Sequence, residues 1–195
     1  MTCESADSGL DPRVRRTRKL LADALRSLSQ EKRFAEISVQ DIAERATVNR
    51  ATFYAHYTGK EDLAANAFKN DLHTAVLNRF PEKPALTFDN VVAMSVVIFE
   101  FLGCITTGCP RAAEELQDIL GSTLQQMLYT SFEAWCSSSK HFKDFFPGSS
   151  KETVATVLSW GIYGGASHWV RSDRSVSAAD MSREVVAILM PHPKA

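Results

Sequence analysis

An all-α protein is what this sequence of 195 residues predicts, and three observations carry the prediction. Apolar residues recur at three- and four-residue spacing through almost the whole chain. Helix-cap signatures stand in front of most of the periodic runs. No run alternates apolar with polar residues as a half-buried strand does, and neither an internal repeat nor a low-complexity tract interrupts the pattern.

The first helix begins at Asp11-Pro12, an acid suited to the cap and a proline suited to the first turn, and carries Val14, Leu21, Leu25 and Leu28 on one face. Phe34 to Ile37 form a short connection. Ser38 with Asp41 three residues on resembles a capping box ahead of Val39, Ile42, Ala43 and Ala46, so a second, short helix follows. Thr47-Val48 is a tight break, and Asn49 caps a third short helix running through Tyr54. Gly59 then caps a fourth helix whose first turn holds Lys60, Glu61 and Asp62, acids that suit the helix dipole; it continues through Leu63, Ala67, Phe68, Leu72 and Val76 to the Pro81 region.

Beyond it, Leu86 to Thr106 is apolar on a wide face, Gly108-Cys109-Pro110 breaks it, and a long stripe runs from Ala112 to Trp135. Ser137 to Ser150 reads as a loop. Ser149 with Glu152 opens a helix to about Val170, and Ser177 with Asp180 opens a last one through Leu189, ended by Pro191. Residues 1–11 form a flexible tail, 12–60 one small domain and 61–195 a second, larger one.

Composition narrows the function. The segment Leu10 to Lys60 holds 11 Lys and Arg against 6 Asp and Glu, whereas Glu61 to Ala195 holds 11 against 15: a basic amino-terminal unit precedes a mildly acidic remainder. Met1 to Asp11 has neither the apolar run of a signal peptide nor the character of a transit peptide, so the cytoplasm is expected. The most apolar stretch, Val91 to Leu102, is broken by Ser95 and Glu100 and is shorter than a bilayer span, so no membrane is expected either. Cys3, Cys104, Cys109 and Cys136 lack metal-ligand or disulfide spacing and read as reduced interior thiols, with redox sensing at Cys104 and Cys109 left open. No phosphate-binding glycine loop, nucleophile-base arrangement or ligand-spaced cluster is present, so no enzyme, metal or cofactor is expected.

Two short helices joined by a tight turn and followed by a basic, hydroxyl-bearing surface suggest a helix-turn-helix. Thr17 to Leu21, Ser38-Val39-Gln40-Asp41-Ile42-Ala43-Glu44-Arg45-Ala46, Val48 to Tyr57 and Lys60-Glu61-Asp62-Leu63 together resemble the DNA-binding domain of TetR-family transcriptional regulators. The resemblance covers roughly Arg13 to Leu63. A recognition helix enters the major groove amino end first, which assigns Asn49, Arg50, Ala51 and Thr52 to bases and backbone. The resemblance further assigns Tyr54, His56 and Lys60 to phosphates, and Phe53 and Tyr57 to the core. Ser38 is expected on a phosphate, Gln40 on a base, and Arg15, with Arg13 and Arg16, in the adjacent minor groove. The family usually has glycine where this chain has Thr47, a β-branched residue at a position that favours positive φ.

A module of this size grips a half-site weakly, so a homodimer is expected on double-stranded operator DNA. Trp160, Gly161, Gly164, Gly165, Val185, Ile188 and Leu189 are assigned to its interface: small residues at helical spacing admit another helix, of the same chain or of a second copy, and the second is the expectation. The resemblance also implies an effector pocket in the larger domain, with Phe68, Leu72, Met94, Ile98, Phe101, Leu120, Leu124, Met127 and Trp135 as walls for an unknown, mainly apolar small molecule. The expected function is that of a repressor released by its ligand; the alternative is an adaptor that has exchanged DNA for a protein partner.

Overall fold

A computed structural model describes residues 11–190 apart from Lys83 and Cys109. Among the described residues all regular structure is helical: α1 Pro12–Glu31, a 3-10 turn Phe34–Glu36, α2 Val39–Arg45, α3 Arg50–Tyr54, α4 Lys60–Arg79, α5 Phe88–Gly108, α6 Pro110–Glu115, α7 Gln117–Ser138, α8 Phe142–Phe145, α9 Lys151–Arg171 and α10 Ala178–Leu189. The chain is thus all-α, as its periodicity requires. The expected tail, Cys3, Cys109 and the stop at Pro191 lie outside the described residues, save for Asp11.

Local chemistry sets most helix starts. Asp11 caps α1 by accepting from the Arg13 N–H at 2.7 Å. Ser38 and Asp41 form the full reciprocal capping box of α2. Ser177 accepts from the Asp180 N–H to start α10. At α9 the cap is Ser150, bonded by the Thr153 N–H, and not the expected Ser149. Two further differences are a helix break without glycine or proline and a helical turn where a loop was expected. The stripe from Ala112 to Trp135 is split at Leu116 into α6 and α7, and the loop after Ser137 folds into the single turn α8, which buries Phe142.

The chain packs as two compact units, one of residues up to His73 with Gly108–Leu120, the other of Thr74–Thr107 with Gly121 onward. The boundary expected after Lys60 falls at the start of α4, inside the first unit. That unit buries Leu21, Leu25 and Leu28 of α1, Ile42 and Ala43 of α2, Phe53 of α3 and Leu63 of α4. The second buries Phe99, Leu124, Leu128, Phe132, Leu158 and Ile162. Its helix α5 has the length and composition of a membrane span, with mean hydropathy 1.9, but half of that window is buried inside the protein, as in a core helix.

Candidate nucleic-acid interface

Helix α2 ends in a Schellman turn. The Thr47 N–H donates to the Glu44 carbonyl at 3.0 Å and the Val48 N–H to the Ala43 carbonyl at 2.9 Å, which satisfies the last carbonyls and reverses the chain. Such a turn needs one residue in the left-handed region, and Thr47 takes it with φ 57. Its branching at Cβ makes that conformation costly, by about 1–2 kcal/mol. Asn49 follows as the cap of α3, its Oδ1 accepting from the Ala51 N–H at 2.8 Å.

In α3 only Phe53 is buried; Arg50, Ala51 and Tyr54 are exposed and Thr52 is half-exposed. The Phe53 ring packs against Tyr57 at 5.9 Å and edge-on against Tyr54 at 5.5 Å. Arg50 lies along Tyr54: its Cζ is 5.5 Å from the ring centre and its Nη2 donates to the hydroxyl at 3.3 Å. A guanidinium and a phenol, both donors to anions, therefore sit side by side in solvent. His56 is half-buried, its ring tilted 6.4 Å from Tyr57.

On α2, Ser38 and Gln40 are exposed. The Ser38 hydroxyl donates to Asp41 Oδ2 at 2.7 Å while accepting the Asp41 N–H. The same carboxylate takes the Ser38 N–H and the Lys32 ammonium, at 2.7 and 2.8 Å. Lys32, followed by the two Ser38 bonds, holds the Asp41 carboxyl far below the usual carboxylate range. Arg13, Arg15 and Arg16 project as exposed cations from the first turn of α1.

Lys60, expected on a phosphate, is engaged within the chain in this structure. Its Nζ donates to the carbonyls of Phe34, Ala35 and Ile37 at 2.7, 3.0 and 2.8 Å, and lies 4.7 Å from the Phe34 ring centre. An ammonium has three N–H donors, and all three are occupied. Lys60 is therefore a brace for the turn that leads into α2. Glu115 of α6 holds that turn through its N–H side, accepting from Arg33 Nε at 2.8 Å and the Ala35 N–H at 2.9 Å. Sequence reasoning missed Glu115, because nothing local pairs residues 80 positions apart. It also missed Arg18, whose Cζ lies 5.7 Å from the Tyr57 ring centre, and Glu44, one helical turn from Gln40.

The residues expected to form the dimer interface divide. A Cβ on Gly161 would stand 2.5 Å from a Leu189 methyl, and one on Gly165 would stand 2.8 Å from Val185 and 3.3 Å from Phe99. Gly161, Gly165, Val185 and Leu189 thus seat α9 on α10 within the chain. Trp160, Gly164 and Ile188 face outward: Trp160 is 55% and Ile188 78% exposed, and a Cβ on Gly164 would meet nothing within 4 Å. Val157 of α9, 49% exposed, adds to that surface.

Of the expected pocket walls, Phe68, Leu72 and Leu120 are buried in the first unit; in the second, Met94, Ile98, Leu124 and Trp135 are buried, while Phe101 and Met127 are half-buried. Trp135 is clamped edge-on by Phe80 and Phe132 at 5.6 and 5.4 Å. Within the second unit an open cleft of about 560 Å³ is lined by other residues, among them Leu86, Thr87, Lys140, His141 and Phe145. Cys136 is buried, and burial pushes its thiol up to about 11; Cys104 is exposed, contrary to the expected interior position. Among the described residues no three His, Cys, Asp or Glu side chains are grouped to hold a metal ion.

Comparisons with known proteins agree with this geometry. The sequence profile described as bacterial regulatory proteins, tetR family, matches residues 21–67. The HTH-type dhaKLM operon transcriptional activator DhaS of Lactococcus lactis subsp. lactis is 38% identical over 55 residues, 28% of this chain and 29% of that protein. The similarity to this relative thus spans under a third of its length. An uncharacterised HTH-type regulator of Bacillus subtilis, YxbF, is 44% identical over 55 residues, 28% of this chain and 14% of that protein. Similarity of fold extends further. The transcriptional regulator FadR of Bacillus subtilis, solved with stearoyl-CoA, superposes with a TM-score of 0.56 at 18% identity, over 89% of this chain and 97% of that one. The multidrug-binding protein EbrR, solved with imidazole, does so with a TM-score of 0.58 at 19% identity, over 95% and 99%. The capped helix-turn-helix thus lies in the segment, residues 21–67, that resembles the bacterial regulatory proteins of the tetR family.

Proposed function

We propose that the chain acts in the cytoplasm as a homodimeric repressor that binds a palindromic operator in double-stranded DNA and leaves it when a small, mainly apolar effector binds. One observation carries the reading: α3 is anchored by Phe53 alone and offers Arg50, Ala51, Thr52 and Tyr54 outward from a fixed turn. In the groove these residues meet base edges and flanking phosphates, with Asn49 at the amino end of the helix. Ser38, Gln40, His56 and Arg15 complete the surface. Ser38 bonds phosphate after giving up its hydroxyl bond to Asp41, and Arg15 lies in the minor groove. Lys60 contributes through the turn it braces.

Val157, Trp160, Gly164 and Ile188 support dimerisation, since large apolar side chains beside a glycine suit a second helix pair. An effector is supported by the molecules bound to FadR and EbrR, and by the apolar side chains of the larger domain. It shifts the dimer between DNA-competent and incompetent states by as much as its affinities for the two differ.

The test is a shift of genomic fragments by the purified full chain across a salt series. A DNA-binding dimer gives an affinity that falls steeply and linearly in logarithmic salt concentration. Absence of any salt-dependent shift would favour the adaptor reading instead.

A further inference from the structure

We propose that Glu44 is a positioning residue that fixes which way the side-chain amide of Gln40 faces, and thereby sets the base preferred at one position of each half-site. The inference rests on the DNA-reading assignment of α2 and α3 made above and deepens it. Gln40 and Glu44 lie one turn apart on the exposed edge of α2, opposite buried Ile42 and Ala43, and Gln40 Nε2 donates to Glu44 Oε1 at 2.6 Å.

The two ends of a glutamine amide are nearly identical in shape and opposite in chemistry, one accepting and the other donating. An unpartnered glutamine at a groove therefore turns over freely and presents either order of the two. A carboxylate removes that freedom, because it only accepts: the nitrogen must face Glu44, and Oε1 must face away. The competing cation nearby is already engaged. Arg45 places its guanidinium on both oxygens of Glu31, at 2.7 and 2.8 Å, and on the Ser27 hydroxyl at 2.5 Å.

One N–H of the amide remains beside the fixed oxygen. That ordered pair, an acceptor next to a donor, complements the N6 amine and N7 of adenine in the major groove. On a helix held in one orientation it matches adenine on one strand, so an A·T pair is preferred over T·A as well as over both G·C orientations. The preferred partner is a duplex with adenine beneath the exposed edge of α2.

The experiment selects bound fragments from a random DNA pool with the full chain as wild type, Gln40→Ala, Glu44→Ala and Glu44→Gln. Wild type is expected to enrich adenine about tenfold at one position per half-site, the discrimination of one bidentate contact. Gln40→Ala and both Glu44 variants are expected to lose that preference and keep the rest of the motif, with unchanged melting temperatures. In Glu44→Gln the new amide can accept or donate, so the lock is lost although the size is kept. If the Glu44 variants select the same motif as wild type while Gln40→Ala relaxes it, positioning by Glu44 is overturned and base reading by Gln40 stands. If Gln40→Ala also matches wild type, Gln40 touches no base and the proposal falls with DNA reading by α3 intact. If wild type enriches no sequence at all, the DNA-reading assignment itself fails, and this inference with it.

Discussion

The guanidinium of Arg174 lies 5.2 Å from the centre of the Trp169 indole and donates to the hydroxyls of Thr106 and Thr107, at 2.7 and 3.0 Å. It ties the connection between α9 and α10 to the last turn of α5, where a cation also suits the helix dipole. Arg174 does this from a left-handed backbone, φ 54.

Two substitutions separate the contact from the strain. Arg174→Ala loses the hydroxyl bonds and the indole contact and keeps the strained backbone; we expect it to destabilise the chain by about 1–2 kcal/mol, reduced by partial exposure. Arg174→Gly loses the same contacts and relieves the backbone, so it should cost about 1 kcal/mol less. Urea unfolding of the two variants measures the difference, and equal losses would show that the backbone stores no strain here.

Thr47→Gly should stabilise the protein by about 0.5–1 kcal/mol, because glycine occupies the left-handed region without the steric cost and its extra unfolded-state entropy offsets only part of the gain. DNA affinity should be unchanged, since the turn's hydrogen bonds are made by the backbone. A rise of a few degrees in thermal melting is the expected result, and a fall would mean that the threonine side chain contributes more than its strain costs.

Replacing Lys60 by Met removes three charge-assisted bonds to carbonyls, two of them part-buried, and should cost about 1–3 kcal/mol. The salt dependence of DNA binding distinguishes a brace from a phosphate contact. A direct contact contributes about one unit of slope, whereas the bonding seen here leaves the slope unchanged.

Asp41 gives the first unit an acid-sensitive start to α2. Its carboxyl is held far below the ordinary range, first by Lys32 and then by Ser38. A group with a depressed folded pKa contributes stability that is fully present above its unfolded value of about 4 and is lost as pH falls toward the folded one. Melting temperature should therefore decline below about pH 4, and Asp41→Asn should flatten part of that decline while lowering stability at neutral pH.

Ile188→Asp should leave the chain folded and reduce self-association, because the side chain is 78% exposed and no neighbour depends on it. Gly161→Val should instead unfold or loosen the α9 and α10 pair, since its methyls would collide with Leu189. Sedimentation and circular dichroism read the two effects separately.

What could be read from the sequence was what short-range chemistry decides. The caps at Asp11, Ser38, Asn49 and Ser177 involve partners two or three residues away, and Thr47 could be singled out because a tight turn between helices needs positive φ. Where two neighbours offered the same chemistry, as Ser149 and Ser150 do, the register slipped by one. Leu116 breaks a helix without any residue that disfavours helix, so no local signal marks it. Lys60 looked free because its acceptors are backbone atoms more than 20 residues earlier and every residue has such atoms. Gly161, Gly164 and Gly165 were legible as close-packing positions, but which of them faces α10 depends on how two helices cross.

The third helix is five residues long and buries one of them. A helix this short holds little stability of its own, and it takes its shape from the turn before it, the Asn49 cap and the anchor at Phe53. The outward residues therefore carry almost none of the burden of folding. Drift at Arg50, Ala51 and Tyr54 is cheap, and the outward surface of this helix can change by substitutions there while Phe53, Thr47 and the Ser38–Asp41 box stay as they are.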